Sequence, residues 1–160
     1  MKKEKWVLFN CMLVLALVGL APMAEARVVR VDITRVESPT FDATEFGSVG
    51  RYEKLVGIIY MEVDPNDSHN TGIVNLERAP RNSRGLVEYN ADLYILKPID
   101  MQRGNQKIFL EVHNRGNKLA LNFLNDSPGG VNDPTTATDA GNGFLFREGY
   151  TVVGQAGKAM

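Results

Sequence analysis

Cysteine, histidine and tryptophan are nearly missing from this chain of 160 residues, which holds one Cys, one Trp and two His. The single Cys11 lies in the apolar N-terminal segment, without the Leu-x-Gly/Ala run that lipoprotein processing needs. No disulfide, thiolate metal site or cysteine nucleophile is therefore expected in the exported chain. No His-x-x-x-His or paired-Glu pattern suggests zinc, the aspartates Asp126, Asp133 and Asp139 lack calcium-loop spacing, and no metal or cofactor is expected. No Gly-rich phosphate loop stands between a strand and a helix. Gly-x-Ser-x-Gly is also absent. A Ser–His–Asp set needs a nucleophile on an elbow and a base late in the chain. His69 lies in the Asp67-Ser-His-Asn70 turn as a solvated residue, so this polypeptide alone is not expected to turn over an ester.

What the chain does have begins with a leader. Met1-Lys-Lys-Glu-Lys5 is basic, Trp6 to Leu20 is apolar except for Asn10, and Ala24-Glu25-Ala26 is a small-x-small site. This predicts a secretory signal peptide over 1–26, cut before Arg27, with the product exported to a periplasm or the medium. The alternative, an uncleaved anchor, has too short a core and a good cleavage site behind it, so no stable membrane anchor is expected after cleavage. Cleavage takes the net charge from −1 to about −2, which gives no basic face for nucleic acid or anionic lipid.

Downstream, Val29, Val31 and Ile33 alternate with Arg30, Asp32 and Thr34, as in a half-buried strand. Tyr52 to Val63 is a β-type run closed by Asp64-Pro-Asn-Asp67. Ile73 to Leu76 reads as another short strand, and Val87 to Ile95 has the cleanest period of two. Their short connections predict an antiparallel meander. Lys107-Ile-Phe-Leu-Glu-Val112 is a further strand, and Leu119 to Leu124 has length for one or two helical turns. Asn125 to Gly143 is Gly- and Pro-rich, a loop of the length that tends to be functional or mobile. A helix is expected from about Ala140 to Phe146 with Gly149 at its C′ position, then a strand through Val153. Strand, polar loop, helix, Gly-Tyr and strand is the order in which the front of an α/β-hydrolase sheet runs. The fold class expected is thus α/β: a β-rich N-terminal meander over 27–153 running into the first strands of an incomplete α/β-hydrolase sheet. The bare edges of such a sheet predict marginal stability or aggregation.

His113-Asn114-Arg115-Gly116 follows the Lys107 strand directly and is the candidate oxyanion loop. There a backbone N–H stabilises the charge that develops in acyl transfer, and a glycine lets the backbone come close to the substrate. Arg115 and Lys118 add positive charge nearby. An ordinary polar turn with His113 at the sheet edge is the plainer alternative. Asp126, with Asn132 and Asp133, marks a candidate substrate-facing loop, which Asx turn chemistry also explains.

Several long motifs carry a resemblance: Phe46-Gly-Ser-Val-Gly-Arg-Tyr-Glu-Lys-Leu-Val-Gly57, Ala79-Pro-Arg-Asn-Ser-Arg-Gly85, Val87-Glu-Tyr-Asn-Ala-Asp-Leu-Tyr-Ile-Leu-Lys-Pro98, His113-Asn-Arg-Gly-Asn-Lys118 and Asn132-Asp-Pro-Thr-Thr136. In this order they resemble the alpha/beta hydrolase domain-containing proteins, a family of large exported bacterial proteins. The resemblance spans about Arg27 to Val153. It implies a serine-type hydrolase of esters or related acyl bonds whose serine, acid and histidine lie downstream of the matched region. It also implies a small ester-like substrate for the intact relative. Gly154-Gln-Ala-Gly-Lys-Ala-Met160 departs from the family pattern and is expected to be an unstructured, aberrant tail of a truncated or misread frame. The alternatives are a small exported β-rich ligand-binding or interaction domain, and a degraded gene without a functional product.

Overall fold

The structure is a computed structural model and describes residues 26–129 and 131–157. The expected signal segment, apart from Ala26, lies outside the described residues. Five strands form one sheet: β1 (Arg27–Glu37), β2 (Tyr52–Val63), β3 (Val87–Pro98), β4 (Ile108–Glu111) and β5 (Thr151–Gly157), in the spatial order β1-β2-β3-β5-β4. β1, β2 and β3 form the expected antiparallel meander. β5 joins β3 antiparallel, and only β4 and β5 run parallel.

The connection from β4 to β5 holds the two α-helices of the described residues, α1 (Ala120–Asn125) and α2 (Phe144–Arg147), of six and four residues. This corrects the expected fold class. The described molecule is a mostly β domain built on a mixed sheet, not an α/β-hydrolase sheet. The reason lies in the connection, where Pro128, Gly129, Pro134, Gly141 and Gly143 break it into turns. Gly141 and Gly143 adopt positive φ, where a helix cannot continue.

Two local expectations differ as well. Ile73 to Leu76 is not a strand. Its β-branched residues sit among turn formers, Asn75 is left-handed at φ 61°, and a 3₁₀ turn follows over Leu76–Arg78. Gly154 to Gly157, expected in the tail, continue β5, where Gly154 pairs with Tyr94 and Gly157 with Ala91.

The end of α2 matches its sequence. Gly149 donates to Phe146 O (3.1 Å) and Tyr150 to Leu145 O (3.1 Å), with Gly149 at φ 76°. This pair of bonds is the Schellman arrangement, and it turns the chain directly into β5.

Side chains opposite one another on adjacent strands share a face. One face presents Tyr52, Tyr94, Leu96 and Val152, all buried against Phe41, Phe46, Val49, Leu121, Leu145 and Phe146 from the loops and helices. The Phe146 ring lies 4.9 Å from those of Phe41, Phe46 and Tyr52, and the Tyr52 hydroxyl donates to the carbonyls of Phe146 and Tyr150, both at 3.0 Å. The opposite face carries a smaller cluster of Val63, Leu76 and Val87 at one end.

Candidate functional site

The candidate loop after β4 is a tight two-residue turn. Asn114 and Asn117 exchange both backbone hydrogen bonds (2.9 and 3.0 Å), with Arg115 at φ 50° and Gly116 at φ 84°. Two successive positive φ values define a type I′ turn, which favours glycine at its second position. The Gly116 N–H donates to His113 Nδ1 (3.1 Å). That amide is therefore committed within the loop, and stabilising an oxyanion through it would require this bond to be exchanged.

The second candidate segment meets the first here. Asn132 accepts from the Lys118 N–H at Oδ1 (2.9 Å) and donates through Nδ2 to Gly116 O (2.9 Å), pinning the turn at both ends. Asp133 follows and faces two cations. Its Oδ1 accepts from Lys54 Nζ at 2.7 Å and its Oδ2 from Arg35 at 2.5 Å. Burial alone would raise the Asp133 carboxyl, but the hydrogen bonds and charges of Lys54 and Arg35 outweigh it and hold the group below its ordinary value. Asp126 is not brought to this place. It ends α1 in a left-handed conformation and accepts from Asn142 Nδ2 (2.7 Å).

Gly116, Asn132 and Asp133 line one cleft of about 430 Å³, together with Val56, Asp92, Tyr94, Lys118, Ala156 and the end of β5 at Gly157. It opens where the parallel pair β4 and β5 ends. Lys118 is buried in its wall, its Nζ donating to Asn132 O (3.1 Å) and lying 4.7 Å from the centre of the Tyr94 ring. Desolvation lowers the Lys118 pKa, aided by the Lys54 charge, and the carboxylates Asp92, Asp133 and Glu111 only partly restore it. Burial, helped by the Glu111 charge, pushes the Tyr94 hydroxyl up.

Three supporting side chains were not singled out in the sequence. Lys54 is wholly buried and reaches Glu37 (3.0 Å), Asp133, Pro134 O and Thr135 Oγ1 (both 2.7 Å). Its signal was available: Lys54 has the parity of Tyr52 and Val56, an inward position in an otherwise apolar register. Glu111, at the end of β4, accepts from the amides of Leu119 and Ala120 and so caps α1 from outside it, with Oε2 buried and unpartnered among the described residues. Asn125, fully buried, donates to Ala140 O (3.1 Å) and accepts from the Leu145 N–H (3.0 Å). Neither of these has a local signal, since each partner lies a loop away. Together they hold much of the long 125–143 connection that the sequence left structureless.

Chemically, the cleft offers a buried ammonium, an aromatic face and carboxylates, and among the described residues no serine, threonine or cysteine lines it. Among the described residues no group of three or more His, Cys, Asp or Glu gathers in a way that would hold a metal, and no described helix is long and apolar enough to cross a membrane. No family model, curated protein or solved structure matches the chain.

Proposed function

We propose that this chain is the N-terminal part of an exported serine-type hydrolase of ester or related acyl bonds, in which it supplies a substrate-facing wall and not the nucleophile. The observation that carries the reading is the convergence of two separate motif segments on one cleft, the first through Gly116 and Lys118 and the second through Asn132 and Asp133. These are segments on which the family resemblance also rests. The cleft lies at the carboxyl ends of β4 and β5, the parallel pair of the sheet. The chain alone lacks Gly-x-Ser-x-Gly, so the reading assigns it binding and orientation only.

The test is to translate the locus beyond Met160 in all three frames. A Gly-x-Ser-x-Gly followed by a late histidine is the expected result. Its absence from every frame overturns the hydrolase reading. The second reading, a small exported β-rich binding domain, would then stand, favoured by the mostly β architecture and its well-packed aromatic core.

A further inference from the structure

We infer that the Lys118 cleft binds an uncharged ligand through a carbonyl or ester oxygen, with the Lys118 ammonium as its donor. An ammonium carries three donors. Among the described residues the Lys118 ammonium makes a single hydrogen bond, to Asn132 O, and lies over the Tyr94 ring. The residue is only 8% exposed, so the ammonium's remaining donor capacity is held at the wall of the cavity. A desolvated cation with incomplete hydrogen bonding gains from an oxygen acceptor brought to it.

The rest of the lining decides the ligand's charge. Asp92 and Asp133 line the same cavity, so a monoanion drawn to Lys118 would be placed beside two carboxylates. A monocation drawn to those carboxylates would be placed beside Lys118. Asp133 is moreover already engaged by Lys54 and Arg35. A neutral acceptor avoids both penalties. Val56, Ala156 and the Tyr94 ring supply apolar wall for its hydrocarbon part, and about 430 Å³ falls in the size range of small-molecule sites. The inference rests on reading this cleft as the substrate-facing one, and it specifies what that substrate presents: a neutral acyl group.

Three probes of nearly equal size separate the cases: methyl butyrate, butyrate and butylammonium, titrated into the ¹⁵N-labelled chain and followed by amide chemical shifts. The expected result is saturable shifts from methyl butyrate at Gly116, Lys118 and Gly157, with the two charged probes binding more weakly. In Lys118→Met the ester should bind about tenfold more weakly, the loss of one charge-assisted hydrogen bond. Tighter binding of butyrate or of butylammonium overturns the inference, as do ester shifts outside the cleft or unchanged ester binding in Lys118→Met. The wild-type series alone decides the charge preference should that variant fail to fold. Ester binding without a downstream serine elbow would retain this inference while the hydrolase reading fails. A downstream elbow without ester binding would do the reverse.

Discussion

The two faces of the sheet are built to different standards. One is covered by α1, α2 and the loops before β2, and its Tyr52, Leu96, Lys54 and Val152 are completely buried. On the other, Leu110, Val153, Ile95, Leu55 and Val36 stand in register across all five strands. There Leu110 is 58% and Val36 57% exposed. The cleft with Lys118 belongs to the covered side, where Tyr94 and its neighbours on β2 and β5 form the floor. Apolar patterning alone therefore does not bury a strand. Both faces are apolar, but only one receives aromatic side chains and buried polar struts from the connections. The exposed row is a continuous apolar surface of the kind that invites association.

The contrast is broken most severely at Phe146. Phe146→Ala removes the ring shared by Phe41, Phe46 and Tyr52 and is expected to cost about 3–5 kcal/mol. Urea unfolding followed by tyrosine fluorescence measures it. Next comes Lys54→Met, which leaves Glu37 and Asp133 without their buried cation, at about 2–3 kcal/mol by the same measurement. The wild type should also lose stability in acid. With its folded value depressed, Asp133 stabilises the fold above its unfolded value of about 4, and that contribution disappears as pH falls through the lower folded value. In Lys54→Met that acid-dependent loss should shrink, which unfolding midpoints between pH 6 and pH 2 would reveal.

A smaller effect is expected at Gly154, where an added Cβ would lie 2.5 Å from Tyr94 Cζ. Gly154→Ala should cost about 1–2 kcal/mol and shift the amides lining the cleft. The smallest change in stability belongs to the uncovered face. Leu110→Lys combined with Val36→Lys should alter folding stability by less than about 1 kcal/mol. It should nevertheless reduce self-association measured by sedimentation velocity, because lysine blocks edge and face pairing.

The meander was legible because its signals were redundant. β2 is bounded as read, ending before Asp64-Pro65, and β3 begins where the period of two begins, although its burial passes from Val87, Ala91 and Leu93 on one face to Tyr94, Leu96 and Pro98 on the other. The Gly149 stop was legible because a left-handed residue between a helical end and a β run has few other uses. Ile73 to Leu76 misled because β propensity cannot outweigh flanking residues that bend the chain at every step. The expected α/β class failed for a related reason, since helix-length spacing between β4 and β5 was filled with turns. At the cleft, sequence placed Gly116, Asn132 and Asp133 among the candidates. Their closure depends on Lys54, Glu111 and Asn125, whose partners lie as far as 81 residues away; only Lys54, an inward lysine in an apolar register, left a local signal.

The most direct test of the account is amide hydrogen exchange on the purified chain. Strands β2, β3 and β5 should exchange slowly, and with them the Lys118 and Ala120 amides, held by Asn132 and Glu111. Protected strands together with rapid exchange at Lys118 and Ala120 would contradict the claim that the covered face holds a preformed cleft.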